Sequence, residues 1–166
     1  MNSMLFTQVH CLRDGHVLLM RRNKEPNLGL WVAPGGKLEK DEAPYECAIR
    51  ELREETGLQA HELVLRGIVS CVAAQIEQPC MQFLFTITDF SGELEPDEQE
   101  GSLAWWPAVD ALRLPMPPAN AAFLPRVLDP NGSFYQAKHV YDADWRLIQI
   151  VEHTDRVLPQ AYQRSL

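Results

Sequence analysis

The most constraining feature of the chain is a predicted helix at 42–56 that carries Glu51, Glu54 and Glu55 near its C-terminal end. Their spacings of three and four residues place all three carboxylates on one side of the helix. Like charges at such spacings cost roughly 0.2–0.5 kcal/mol per pair, and the helix dipole disfavours each of them by about 0.3–1 kcal/mol. A bound cation is the simplest group that would offset this cost.

The remaining helix positions predict one face buried against a sheet. At 100° per residue, the apolar residues fall on one arc: Tyr45, Ala48, Ile49 and Leu52. The opposite, solvated side carries Glu42, Glu46 and Arg53. Asp41 is the predicted N-cap, Pro44 falls in the first turn, where proline is tolerated, and Gly57 is the predicted C-cap.

The rest of the chain alternates strand and turn patterns. Asp14-Gly15 is a strong hairpin signal between two apolar runs. Further extended segments are predicted at 30–34, 62–74, 80–90, 102–109, 133–141 and 145–153, with a short helix following the Pro-rich segment that begins at 114. No repeat or linker interrupts this order, so we expect one α/β domain spanning residues 1–166.

Composition limits the classes of partner. The chain has 166 residues, of which 46% are hydrophobic and 23% charged, as in ordinary soluble globular proteins. Its net charge of −8 argues against a dedicated binder of long nucleic acid. A small phosphorylated ligand is compatible with this charge if a divalent metal supplies positive charge.

The cysteines and the N-terminal residues favour a reduced, cytoplasmic protein. Cys11, Cys47, Cys71 and Cys80 form no CxxC pair and no zinc-ligand spacing, so free thiols are expected. The first residues show no basic region followed by an apolar one, as a signal peptide would. No apolar run approaches the ~20 residues that span a bilayer, so no membrane partner is expected.

The helix and its flanks resemble a known family motif. Gly36, five residues, Glu42, seven residues and then Arg50-Glu51-Leu52-Arg53-Glu54-Glu55-Thr56-Gly57-Leu58 is similar to the Nudix box at every defining position. The preceding "WVAPGGKLE" is similar to the usual lead-in to that box. A chance match of this kind is rarer than about one in a million. The resemblance implies the Nudix fold, a mixed β-sheet sandwiched between helices, and hydrolysis of a nucleoside diphosphate linked to another moiety.

The resemblance also implies a metal site. Mg²⁺, for which Mn²⁺ can substitute, prefers oxygen ligands and keeps several waters. The implied ligands are the three helix glutamates with the carbonyl of Gly35 or Gly36. Glycine allows the backbone to come close without a side chain in the way. Bound metal would orient the phosphates and acidify the attacking water.

Two further roles are implied around these ligands. Arg50 would orient a neighbouring glutamate, and Glu42 would be chiefly structural. One more acid is expected from the loop ahead of a later aromatic strand. Glu100, five residues before Trp105, fits best, and Glu98 is second.

Substrate assignment rests on the C-terminal half, which is similar to the MutT-type 8-oxo-dGTP hydrolases. The matching pieces are "LAWWP", "LPMPPAN", "AAFLPRVL" and "SFYQAKHVY". The chain departs from the oxidised-purine subgroup at Val32, where that group has asparagine, and at Ala119 and Asn120, where it has acids. The window where ADP-ribose and dinucleotide members carry proline or tyrosine reads "SCVAAQ".

We therefore expect a small-molecule nucleotide substrate, a purine triphosphate such as 8-oxo-dGTP, cleaved to monophosphate and pyrophosphate. Arg21 or Arg22 is predicted to bind phosphate, and Asn120 either to read the base or to cap the short helix that follows. Since Trp105 and Trp106 alternate faces of a strand, at most one can face the pocket, and Trp105 is the candidate. Alternatives are another nucleoside diphosphate derivative (ADP-ribose or a dinucleotide) and a nucleotide-binding sensor that does not cleave. Monomer and homodimer both stay open.

Overall fold

The computed structural model describes residues 4–78, 80–95 and 99–153. The elements within these ranges are β1 (Met4–Arg13), β2 (His16–Arg22), β3 (Trp31–Val32), α1 (Pro44–Thr56), β4 (Gln59–Ala73), β5 (Cys80–Ser91), β6 (Gly101–Pro107), α2 (Ala108–Ala111), α3 (Pro118–Leu128), β7 (Tyr135–Tyr141) and β8 (Leu147–His153). No helix in these ranges is long and apolar enough to cross a membrane.

The strands form a mixed sheet in the order β3-β2-β1-β5-β4-β7-β8. β1 and β3 pair with different parts of β2, and β6 pairs with β2 along its whole length. β1 pairs in parallel with β5, β4 pairs in parallel with β7, and the remaining pairs are antiparallel. The β1–β2 hairpin turns at Asp14 and Gly15, both with positive φ, as the sequence predicts. The predicted strand at 102–109 ends at Pro107, and its last residues begin α2 instead.

The sheet has a helix on each face, which confirms the expected α/β fold. On one face α1 packs over β1 and β4 around a buried cluster: Val9, Cys11, Leu18, Ala48, Leu52, Leu58, Leu63, Phe85 and Ile87. On the other face α3 packs over β5 and β7 around a second cluster: Val17, Leu19, Ala33, Val69, Leu84, Ala111, Phe123, Leu124, Val127, Tyr135 and Ala137.

Of the two predicted caps of α1, the C-cap is confirmed and the N-cap is wrong. Gly57 is the C-cap, with φ 76° and its N–H donated to the Arg53 carbonyl at 2.9 Å, as predicted. The predicted N-cap, Asp41, is wrong, because the helix begins at Pro44 with extended Ala43 as its cap. A residue before proline is sterically kept out of helical conformation, so the helix cannot start earlier. Glu46 closes this end by accepting the Ala43 N–H at 2.8 Å.

The wheel prediction holds for most of α1. Ala48 and Leu52 are fully buried, and Ile49 is partly buried against the same cluster. Two residues depart from the wheel. Glu42, predicted on the solvated side, lies before the helix with its side chain 12% exposed and paired with Arg50. Tyr45 keeps 43% of its surface exposed and meets Phe85 edge-on at 6.3 Å. Tyr45 lies in the first turn of the helix, at the rim of the contact with the sheet.

The loop between β3 and α1 runs along β1 and brings the two glycines to α1. Thr7 N–H donates to the Gly36 carbonyl and Val9 N–H to the Pro34 carbonyl, both at 2.8 Å. A Cβ on Gly35 would lie 2.1 Å from the Thr7 carbonyl oxygen, and the φ of 149° at Gly35 also favours glycine. The close approach predicted at this pair is thus required by β1 itself.

Candidate active site

Arg50 ties the acidic residues of the helix region together. Its Nε and Nη2 donate to the two carboxylate oxygens of Glu42 at 2.8 and 3.0 Å. Its Nη1 donates to Glu51 at 2.9 Å and to Glu54 at 3.1 Å. Their helical spacing alone indicated that Glu51 and Glu54 are unpaired. In the structure both are paired with Arg50. A cation on the same helix offsets part of the charge repulsion.

These contacts shift the acid strengths in opposite directions. The hydrogen bonds from Arg50 lower the pKa of Glu42 to about 2, so this carboxylate stays ionised. Burial raises the pKa of Glu51 against the opposing hydrogen bond from Arg50. Glu42 is thus an anchor for Arg50, whereas Glu51 is turned toward the glycine loop. A Cβ on Gly36 would lie 2.3 Å from Glu51 Oε1.

Glu55 is the most enclosed of the three helix glutamates, with 6% of its surface exposed. Its Oε2 accepts the Gly35 N–H at 2.8 Å. Burial raises its pKa to about 8, and the nearby charges of Glu51 and Glu100 add to that rise. A buried carboxylate held at this position is poised to bind a cation or a proton.

A polar cavity of about 290 Å³ opens where these groups meet. It is lined by Arg22, Gly35, Gly36, Glu51, Glu54, Glu55 and Glu100. Glu100 reaches it from the residue before β6, where it forms an ion pair with Lys24. Its backbone carbonyl accepts the Asn23 N–H at 2.9 Å, which joins the two loops. Glu98, the second candidate acid, lies outside the described residues.

The donor set fits a hard divalent cation in its chemistry, since every candidate ligand atom is an oxygen. The Gly36 carbonyl accepts the Thr7 N–H, and both glycine carbonyls stay candidate ligands because a carbonyl oxygen has two lone pairs. Within the described ranges no group of three His, Cys, Asp or Glu side chains is already arranged to hold a metal. Arg50 forms ion pairs with Glu51 and Glu54, and Lys24 forms one with Glu100.

Comparison with known proteins identifies the family. The family model described as NUDIX domain matches residues 7–127. The chain belongs to the Nudix family. An uncharacterized Nudix hydrolase of Bacillus subtilis is 34% identical over 122 residues, which are 72% of this chain and 75% of that protein. The CTP pyrophosphohydrolase of Escherichia coli is 32% identical over 121 residues, 68% of this chain and 82% of that protein.

A solved structure shows the same fold. The crystal structure of a MutT protein from Bacillus halodurans superposes with a TM-score of 0.79 at 31% identity, covering 89% of this chain and 96% of that one. Other matching relatives are named 8-oxo-dGTP diphosphatase and ADP-ribose pyrophosphatase. The chain is thus similar to Nudix hydrolases of several named substrates, and its own substrate has to be argued from its side chains.

The two candidate phosphate-binding arginines separate at the end of β2. Arg22 lines the cavity of this Nudix site and donates from Nε to the Pro26 carbonyl at 2.8 Å. Arg21, on the opposite face of the strand, donates to the Gly29 carbonyl at 3.3 Å and is not among the side chains that line the cavity. The structure therefore brings Arg22, and not Arg21, to the box glutamates.

The two tryptophans of β6 also separate. Trp105 packs on the α1 side, stacked on Phe90 with ring centroids 6.0 Å apart, and the Arg13 guanidinium lies 5.4 Å from its ring. It does not line the cavity, so the structure does not bring this predicted substrate-binding residue to the site. Trp106 is the one on the α3 side, edge-on to Trp31 at 5.3 Å.

Asn120 lies in the first turn of α3 and is 8% exposed. It does not cap the helix, because the N-cap is Pro117 and no side-chain cap bond forms there. Its Nδ2 donates instead to Gln8 Oε1 at 3.3 Å. Gln8 in turn adjoins the glycine loop, since a Cβ on Gly35 would lie 2.9 Å from Gln8 Cα. The backbone of Gln8 thus lies against the loop of Gly35, while its side-chain amide contacts Asn120.

Gln8 and Lys24 are the site residues that sequence reasoning missed. Their partners are distant in the chain, 112 residues away for Gln8 and 76 for Lys24. No local pattern marks either one. Only the pairing of β1 with the sheet and of the two loops beside β2 and β6 reveals them.

Proposed function

We propose that this Nudix chain hydrolyses a purine nucleoside triphosphate, an oxidised one such as 8-oxo-dGTP, to nucleoside monophosphate and pyrophosphate. Mg²⁺ would be the cofactor, and Mn²⁺ could substitute. The observation that carries the proposal is that Gly35 adjoins two features. One is the glutamate-lined cavity, and the other is β1 at Gln8, whose side chain is hydrogen-bonded to Asn120.

The glutamate-lined cavity suits the phosphate chain. Glu51, Glu54, Glu55 and Glu100, with the carbonyl of Gly35 or Gly36, would hold the metal. When bound, the metal would neutralise phosphate charge and acidify the attacking water. Arg22 extends into the same cavity and would bind a phosphate oxygen. Arg50 would keep Glu51 and Glu54 aligned through its anchor on Glu42.

The Gln8–Asn120 amide pair suits a base. Each amide offers two N–H donors and a carbonyl acceptor, so the Gln8–Asn120 pair can rotate to match adjacent donor and acceptor atoms of a purine edge. The bond between them, at 3.3 Å, is long for a neutral hydrogen bond and would be exchanged for bonds to the base. Both side chains lie on the α3 face, so the base would enter between β1 and α3.

A pyrimidine triphosphate such as CTP is the second candidate. The E. coli relative named CTP pyrophosphohydrolase matches 68% of this chain. The first turn of α3 has Ala119 and Asn120 and therefore lacks a carboxylate to read an oxidised purine. Amides alone can also match the edge of a cytosine. Base identity is accordingly the property that the experiment has to decide.

The deciding experiment is a nucleotide panel assayed with malachite green, with and without added pyrophosphatase. It would compare 8-oxo-dGTP, dGTP, CTP and ADP-ribose at equal concentration with Mg²⁺, and would identify products by chromatography. We expect phosphate to appear only after pyrophosphatase is added, with 8-oxo-dGTP the best substrate. Direct release of orthophosphate, or preference for ADP-ribose over every triphosphate, would refute the triphosphate proposal. Preference for CTP would select the second candidate.

The role of the amide pair is tested separately. Asn120→Ala and Gln8→Ala should each lower kcat/KM unequally across bases, because an unpaired buried polar group costs about 1–3 kcal/mol. Asn131→Ala, in the exposed turn after α3, is the matched control and should leave the ranking of substrates unchanged. An equal loss on every base would show that Asn120 and Gln8 only hold α3 against β1.

A further inference from the structure

Cys71 and Cys80 face each other across β4 and β5, away from the glutamate cavity. They are Cα partners in the antiparallel register, which runs without a bulge from Gly67↔Leu84 to this pair. Cys71 packs against the same cluster as α3, and directly opposed residues project to one face of a sheet. Both thiols are reduced in the structure.

The position of the two thiols matches what a disulfide needs. Directly opposed residues of antiparallel strands have Cα atoms roughly 4.5–5.5 Å apart, and disulfides join Cα atoms roughly 4.4–6.8 Å apart. The interaction between the two thiols lowers the pKa of Cys80 against the opposing effect of burial, and together with burial it raises the pKa of Cys71. A thiol that is stabilised as thiolate thus stands beside a thiol that can resolve it.

The pair is not sealed from solvent, since Cys71 is partly exposed and Cys80 keeps 7% of its surface exposed. The other two cysteines differ, because Cys11 and Cys47 are fully buried on the α1 side of the sheet. Cys47 also contacts Thr7 Oγ1 at 3.4 Å. The opposed pair is therefore distinct from the other thiols in both placement and partner.

We propose that Cys71 and Cys80 form a dithiol modification site that low-molecular-weight disulfides oxidise to an intramolecular disulfide. The Cys80 thiolate attacks one sulfur of the reagent R–S–S–R, which forms a mixed disulfide and releases one thiolate. Cys71 then loses its proton to solvent and attacks the Cys80 sulfur, which releases the second thiolate. Two protein thiols are oxidised, and one reagent disulfide is reduced to two thiols. The product joins β4 to β5 covalently.

The test titrates the full-length reduced protein with mixtures of reduced and oxidised glutathione. Peptide mapping under non-reducing conditions should find a Cys71–Cys80 disulfide, and maleimide counting should show two thiols lost per chain. The oxidised protein should melt higher than the reduced one by on the order of 5 °C, because the cross-link restricts the unfolded chain. Retention of all four thiols at every ratio, or a disulfide that includes Cys11 or Cys47, would overturn the proposal.

Two variants sharpen the test. Cys71→Ser keeps a hydroxyl donor toward Cys80 but cannot resolve, so it should stop at a glutathione adduct on Cys80. Cys11→Ala, the control on the other face, should still form the Cys71–Cys80 disulfide. Closure of a disulfide in Cys71→Ser would contradict the assignment of the pair. If that variant does not fold, the peptide map of the unaltered protein decides alone.

Discussion

At the residue scale, Arg50 determines how the acidic residues can coexist. It donates to carboxylates from the loop before α1 and from two positions of α1, and to the Lys37 carbonyl at 3.2 Å. A planar guanidinium with five donors can satisfy such a set, whereas a lysine ammonium offers only three. The pair with Glu42 fixes the guanidinium of Arg50. Arg50 in turn holds Glu51 and Glu54, and both of these residues line the cavity.

The first prediction concerns Glu55, whose carboxylate is buried beside Gly35. Glu55→Gln should lower kcat by about 10²-fold or more, as expected when a metal ligand or base is removed. Metal-free thermal stability should stay level or rise, since glutamine can still accept the Gly35 N–H and no buried charge is left. Steady-state kinetics and thermal melts measure both. Glu46→Gln, on the exposed side of α1, is the control with normal kcat. A normal kcat with a large stability loss in Glu55→Gln would make Glu55 structural.

A second prediction concerns His10, which is 1% exposed and bonded through Nδ1 to the Phe85 carbonyl at 3.0 Å. Burial lowers its pKa to about 4 from an ordinary 6.5. The unfolded chain therefore takes up the proton first, and stability falls as pH drops from about 6.5 toward 4. The loss is about 3 kcal/mol for this group. Denaturant unfolding at stepwise pH measures it, with His16→Gln, at a partly exposed position, as control. His10→Gln, which can keep the bond to Phe85, should flatten the acid slope, and an unchanged slope would assign it elsewhere.

At the element scale, the features that local physics decides were predictable. The Asp14-Gly15 turn, the α1 periodicity and the Gly57 cap each depend on a few neighbouring residues. The start of α1 was missed because the steric effect of Pro44 on Ala43 outweighs the capping preference of Asp41. The exposure of a residue such as Tyr45 depends on how far the contact between helix and sheet extends, and a helical wheel does not contain this information.

The cap of α1 supports a third prediction with a matched pair of glycines. Gly57 and Gly15 have nearly equal φ, 76° and 75°, but only Gly57 is crowded. A Cβ on Gly57 would lie 2.9 Å from Glu95 Cβ and 3.0 Å from the Glu93 carbonyl oxygen. A Cβ on Gly15 would have no neighbouring atom within 4 Å. Gly15→Ala should cost about 1–2 kcal/mol for the left-handed conformation alone. Gly57→Ala should cost clearly more, measured by urea unfolding. Equal costs would show that the packing around the cap gives way freely.

At the scale of the whole molecule, the sheet order assembles the site from distant segments. The parallel pairing of β1 with β5 places Gln8 under α3, and the glycine loop runs along the other edge of β1. The meeting of the box residues at one cavity was predictable because they share one helix and one loop. The Gln8–Asn120 and Lys24–Glu100 contacts were not, because strand order and loop closure decide them. The choice between Trp105 and Trp106 likewise required knowing which face of β6 meets α3.

The last prediction concerns the charge balance of the folded molecule around its cavity. Four carboxylates face Arg22, Lys24 and Arg50, and the chain as a whole carries a net charge of −8. A divalent cation that binds only the folded state should raise stability by about 2.7 kcal/mol at one hundred times its dissociation constant. For a chain of this size that corresponds to a rise of about 5–10 °C in Tm.

Melting curves with Mg²⁺, with Mn²⁺ and with EDTA measure this shift, and turnover of the best substrate under the same three conditions measures the metal requirement. We expect the protein to be inactive in excess EDTA and active with either ion. Glu54→Gln, which removes one exposed candidate ligand, should reduce the Tm shift, whereas Glu46→Gln on the far side of α1 should preserve it. Full turnover in EDTA would show that the carboxylates serve a purpose other than metal binding, with Arg22 in the cavity lining left to orient the phosphates.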